Sequence, residues 1–158
     1  MSQDGDRGWR DTSFDMEPFD ELRGALLEQL RREHPAVLFG DWRAYFDAAT
    51  VLRTGDIDGR LIYVVRLETE DLPAIRLSVD AETGDVLRVE RTLVIPGVGG
   101  MPVVDTYEDY RNVLGLRIPY RTIESNEATG RTIFEVESVE INLDLDDDAF
   151  VIRPPDAH

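Results

Sequence analysis

From Leu61 onward, apolar residues recur at every second position, and this alternation constrains the fold more than any other feature. Leu61, Tyr63, Val65 and Leu67 are interleaved with Ile62, Val64, Arg66 and Glu68, and Ile75, Leu77 and Val79 with Arg76, Ser78 and Asp80. Leu87, Val89 and Leu93 share a parity that Arg91 interrupts. Successive side chains of a strand point to opposite faces, so these segments read as strands with one buried and one wet face. That is the mark of antiparallel sheet. Phe134 and Val136 share one parity while Val139, Ile141 and Leu143 share the other, which predicts a bulge or bend near Glu137 and Ser138.

The punctuation agrees. Gly55 to Gly59, Asp80-Ala-Glu-Thr-Gly84-Asp85, Asn112 to Gly115 and Asn126-Glu-Ala-Thr-Gly130-Arg131 all read as turns, with Gly84 suited to a left-handed position. Leu72-Pro73 precedes Thr83-Gly84 by the spacing that separates Ile118-Pro119 from Thr129-Gly130, which predicts two similar hairpins. Pro96 to Pro102 holds three glycines between two prolines and reads as a loop. Short connections between neighbouring strands make a meander the simplest topology.

Upstream of the strands the period changes. Asp15 and Glu17 precede Pro18, and Phe19, Leu22, Leu26 and Leu30 recur at spacings of three and four. This predicts an amphipathic helix that Pro35 ends at His34. Residues 1–14 read as a flexible lead-in, and 15–155 as a single domain. The aromatic stretch Phe39, Trp42, Tyr45 and Phe46 reads as a short helix or irregular chain leading into a strand at Ala49 to Arg53.

Composition narrows the function classes. The 158 residues carry a net charge of −16, and 42% of them are hydrophobic, enough for a real core. Such a charge repels nucleic acid and anionic membrane surfaces. All 17 basic residues are Arg, which fits a high-GC coding bias or, alternatively, a salt-adapted surface. There is no Cys, hence no thiolate metal site and no Cys nucleophile, and no Lys for a Schiff base. His34 sits before a proline and His158 ends the chain, neither a setting for a precise general base. Gly97-Val98-Gly99-Gly100 lacks the Lys and following helix of a phosphate loop. Asn142, Asp144 and Asp146 open like a calcium loop, but Asp147 and Arg153 occupy the positions that need Gly and a bidentate Glu. The expectation is a non-enzyme with no cofactor and no metal. No apolar run is long enough to span a bilayer, and the N-terminus has no basic region followed by an apolar stretch. That predicts a cytoplasmic protein if Met1 is the native start, and a periplasmic or envelope one if the chain is excised from a longer protein.

Three groups of residues resemble a known pattern: the Asp80 to Gly84 hairpin; Thr106-Tyr107 and Tyr110 through Gly115 to Pro119; and Val139 to Leu143 with Phe150 and Pro154. Together they are similar to the LolA/LolB-like half-barrel superfamily, the outer-membrane lipoprotein carriers and their relatives, over roughly residues 50–155. The resemblance implies an α+β fold: a curved antiparallel meander, or half-barrel, with the N-terminal helix packed on its concave face and Phe150 closing the sheet. It also implies binding of an apolar small molecule or acyl chain between helix and sheet. The candidate ligand-binding residues are Phe19, Leu22, Leu26, Tyr63, Tyr107, Tyr110 and Tyr120. The rival expectation is an accessory or interaction domain with a filled core. Oligomeric state is not legible.

Overall fold

The computed structural model describes residues 8–11, 19–22, 24–40, 42–95, 97 and 99–144. The chain forms two compact units, residues 1–31 with 140–158, and residues 32–139.

In the first unit, β1 (Gly8–Asp11) pairs antiparallel with β2 (Phe19–Leu22), Gly8 opposite Leu22 and Asp11 opposite Phe19. Helix α1 (Gly24–Glu33) follows. The helix expected from Asp15 therefore begins at Gly24, and Phe19 and Leu22 belong to a strand. Periodicity within one segment cannot see the partner that Gly8–Asp11 provides. Gly24 also costs about 1 kcal/mol inside a helix, a cost avoided at its first position. Glu28 and Arg31 pair one turn apart at 3.0 Å. Phe150, Pro154 and the run Asp146 to Asp148 lie outside the described residues, as do the side chains of Phe19, Leu22 and Leu26.

The second unit is a seven-stranded meander. Strands β3 (Ala48–Ile57), β4 (Arg60–Glu68), β5 (Ile75–Asp80), β6 (Val86–Ile95), β7 (Gly99–Val113), β8 (Leu116–Asn126) and β9 (Gly130–Glu135) lie side by side in chain order, all antiparallel. The sheet is curved and unclosed, a half-barrel with a helix. The two matched turns use one device. Asp80 Oδ1 accepts hydrogen bonds from the Glu82 and Thr83 amides at 2.8 and 2.9 Å, and Asn126 Oδ1 accepts from Ala128 and Thr129 at 2.9 and 2.8 Å. Gly84 and Gly130 then take φ of 76° and 74°, a region that costs other residues more.

One face of the sheet is covered from within this unit. Leu67, Ile75, Leu77, Val86, Val89 and Tyr107 form a buried cluster with Leu38 and Phe46, and Val37, Phe39, Trp42 and Tyr45 pack against it. The aromatic stretch thus supplies a cover for the sheet, folded as α2 (Pro35–Leu38) and a single 3₁₀ turn (Trp42–Ala44). Arg91, the interruption in its strand, lies on this face. Its guanidinium reaches Asp105 and Glu33 at 2.9 Å each and Glu124 at 3.2 Å. A charge among core positions is held because three carboxylates share it.

Two expectations need correction. Leu87 does not share a face with Val89. Register slips between Ser78 and Val79, so Val86 opposes Val79 while Val89 opposes Leu77. The extra residue turns Leu87 to the other face, against Ile62 and Val64. Near Glu137, where a bulge or bend was expected, the strand ends instead, and Val139 and Ile141 lie beyond the sheet. Strand β9 stops at Glu135, Val136 donates one last hydrogen bond to the Tyr120 carbonyl at 2.9 Å, and the parity change marks where the chain leaves the sheet.

Candidate functional site

The covered face is filled unevenly. Toward the β5–β6 turn the cover ends, leaving a cleft of about 750 Å³. Pro35, Phe39 and Gly40 form one wall, Thr83 to Val86 a second, and Tyr107, Tyr110 and Thr122 with Leu116 to Pro119 the rest. The lining is mostly apolar, and the volume falls within the roughly 300–1,000 Å³ of small-molecule sites.

Local chemistry sets each wall. Pro35 opens α2, where its missing N–H is no loss. The His34 carbonyl accepts from Val37 and Leu38 at 2.9 and 3.1 Å, and the Pro35 carbonyl from Phe39 at 2.8 Å. Phe39 then meets Tyr107 edge-to-face, centroids 5.0 Å apart at 88°. Tyr107 and Tyr110 lie three apart in β7, and simple alternation sends them to opposite faces. Asp109 between them has φ of 52° while the register with β8 is unchanged, and Tyr110, which also packs against Ile62, Val64 and Leu87, still joins Tyr107 in lining the cleft.

The two hydroxyls differ. Tyr110 donates to the Val86 carbonyl at 2.6 Å. The Tyr107 hydroxyl makes no hydrogen bond among the described residues, and the charges acting on it are those of Asp105, Arg91 and Glu124. Burial above all pushes both phenols up, beyond the ordinary tyrosine range. They are neutral at any physiological pH. The cleft's cation, Arg117, is already committed. It donates from Nε and Nη2 to the two oxygens of Asp85 at 3.2 and 2.6 Å, and its guanidinium lies 5.6 Å from the Tyr110 ring centroid. That bond is the main cause holding the Asp85 carboxyl below the usual carboxylate range. The cleft is therefore mostly apolar and electrically balanced.

No family model matches the sequence, and no curated protein matches it. Among solved structures, a LolA superfamily protein from Nitrosomonas europaea superimposes with a TM-score of 0.53 at 21% identity, over 94% of this chain and 67% of that one. The fold is LolA-like. A domain described as an outer-membrane lipoprotein-sorting protein from Vibrio parahaemolyticus also matches, with a TM-score of 0.43 and 15% identity over 60% of this chain and 44% of that one.

Within the LolA-like half-barrel the expected site residues separate. Tyr107 and Tyr110 come together in the cleft. Tyr120 does not line it, and its ring stacks under the Arg111 guanidinium at 4.1 Å. Tyr63 is 42% exposed and also absent from its walls. Phe19 and Leu22 sit in β2, and Leu26 in α1. Phe39, Val86, Thr122 and the Asp85–Arg117 pair were not expected there. Their sequence signals were a turn, a strand start and an aromatic run, none of which encodes proximity. Among the described residues, no group of three or more acidic or His side chains is placed to hold a metal.

Proposed function

We propose that this chain is a non-catalytic, carrier-type domain that holds an uncharged apolar ligand or acyl chain in the cleft between Phe39 and Tyr107 and Tyr110. The observation that carries the reading is the cleft's charge balance. Its lining is apolar, and Arg117 is neutralised by Asp85, so no free cation lining it waits for a carboxylate. A free fatty acid would bury its charge unpaired, which is costly. An ester or amide of the same chain would not. The LolA-like fold supports this class of ligand, and the envelope is the location that suits such a carrier.

Displacement of a fluorescent acyl probe tests the reading. A long-chain methyl ester is expected to displace the probe more tightly than the matching carboxylate at pH 8. Thr122→Trp, which fills the cleft, is expected to abolish binding with an unchanged circular dichroism spectrum. Absence of saturable binding, or binding unaffected by Thr122→Trp, would sink it.

Exposed apolar side chains favour a second reading, a protein-interaction role. Edge strand β9 and the residue after it present Ile133, Phe134 and Val136 at 45%, 55% and 38% exposure. Among the described residues β9 pairs only with β8, and an edge of this kind is a template for strand addition.

A further inference from the structure

The opposite face of the sheet carries a separate cleft of about 490 Å³, bounded by Arg53, Arg76 and Arg88 with Asp56 and Glu90. One rung crosses four strands there: Arg53 opposes Val64, Val64 opposes Ser78, and Ser78 opposes Arg88. Leu77 and Ser78 are consecutive in β5, so this rung faces away from the core that holds Leu77.

The guanidinium groups here are less fully paired than others in the unit, with Arg76 and Arg88 sharing the single carboxylate of Glu90. Arg91, Arg117 and Arg121 each donate hydrogen bonds to carboxylates. Arg53 makes no hydrogen bond or ion pair among the described residues. Arg76 approaches Glu90 only to 3.6 Å. Arg88 Nε lies 3.1 Å from Glu90 without hydrogen-bond geometry, and that nitrogen, like the Nε of Arg32 and of Arg121, is buried with no hydrogen-bond partner. A buried donor without an acceptor is unusual and calls for an explanation. Three cations facing two carboxylates also reverse, locally, the sign of a chain whose net charge is −16. General attraction of anions to the protein therefore does not account for the arrangement.

We propose that this cleft binds a phosphate-type oxyanion between Arg53 and Arg88, above Ser78. Guanidinium forks converging from different strands match an anion with oxygens on several sides, and Arg is the residue suited to such bidentate contact. The Ser78 hydroxyl adds a donor on the floor. Glu90 supplies the nearest internal carboxylate and so competes with the ligand. The phosphate can belong to a soluble ester or to a phospholipid headgroup. The site is independent of the apolar cleft, and its failure would leave that reading untouched.

The Arg Nε–Hε signals of the full chain, followed by NMR, provide the test. Inorganic phosphate is titrated in one arm and phosphatidylglycerol vesicles in another, with chloride at matched ionic strength and phosphatidylcholine vesicles as controls. Saturable shifts at Arg53 and Arg88 are expected with phosphate, with phosphatidylglycerol, or with both. Response to phosphate identifies a soluble source, and response to vesicles alone a headgroup. Arg53→Gln, exposed on the edge strand, is expected to weaken binding about tenfold, the usual worth of one charge-assisted bond. Glu90→Gln is expected to tighten it by removing the competing carboxylate. Silence in both arms, shifts that chloride reproduces, or a Glu90→Gln variant that binds more weakly would overturn the proposal.

Discussion

Asp85 and Arg117 belong to different hairpins, 32 residues apart, yet meet through two charge-assisted hydrogen bonds at one wall of the cleft. The Asp85 side chain is 2% exposed, whereas Arg117 is 45% exposed. Arg117→Met would leave a buried carboxylate without its cation. The expected loss is about 1–3 kcal/mol, reduced from the value for a fully buried pair because Arg117 is half in solvent. Urea unfolding at pH 7 measures it. The pH dependence follows from the same contact. Asp85 is held low first by the Arg117 bond, and Asp80 first by the Thr83 and Glu82 amides. A lowered folded pKa contributes stability that is fully present above the unfolded value of 3.8 and lost as pH falls through the folded value. Stability is thus expected to drop below about pH 4, and Arg117→Met should flatten that drop.

Arg91 offers a contrasting case. It stands among Glu33, Asp105 and Glu124, with its own side chain 13% exposed and the first two at 8%. Removing it as Arg91→Met leaves three carboxylates facing one another, and the expected cost at neutral pH is about 3–5 kcal/mol. Without the cation the three carboxylates repel one another, and added salt screens that repulsion. The gap in urea midpoint between variant and parent should therefore narrow from low to high ionic strength. A constant gap would show that lost packing, not charge, is responsible.

The β7–β8 turn is strained in a way that substitution can relieve. Leu114 and Gly115 take φ of 50° and 90°, the pair of positive angles a two-residue hairpin turn requires, and Leu114 is 79% exposed. Leucine is ill suited to that conformation, and Asn-Gly is the favoured pair. Leu114→Asn is expected to stabilise the protein by about 1 kcal/mol, the scale of the left-handed penalty for an ordinary residue. A thermal midpoint that falls would show that Leu114 makes contacts worth more than the strain.

The unused hydroxyl of Tyr107 gives a ligand-side prediction. Tyr107→Phe removes no hydrogen bond among the described residues, so stability should change little. If that hydroxyl meets an acyl carbonyl of the bound molecule, affinity should fall by about two- to tenfold, the worth of one neutral hydrogen bond; an unchanged affinity would place the hydroxyl away from the ligand, on the side of Asp105 and Glu124. Tyr110→Phe is the converse: it strips a 2.6 Å bond from the Val86 carbonyl and should cost about 1 kcal/mol of stability. Parallel calorimetric unfolding and probe displacement on the two variants separates these roles.

Much of this was legible before any coordinates. Alternation, turn residues and short connections determine the antiparallel meander, because strand period and turn chemistry are local properties of the backbone. The matched Asp80 and Asn126 turns are of this kind. Tertiary structure decided the rest. The start of α1 and the strand role of Phe19 and Leu22 depend on pairing with a distant segment. The burial of Leu87 on the other face follows from one bulge, which leaves no periodic trace, since one extra residue shifts the parity of all that follow. The joining of Tyr107 and Tyr110 in one cleft, from positions of opposite parity, is set by packing. The cover over the sheet came from an aromatic run with no regular period, placed by contact with strands far along the chain. The cleft itself is the volume that this cover leaves unfilled. Sequence pattern specifies which residues avoid water, but only packing specifies where they fail to meet.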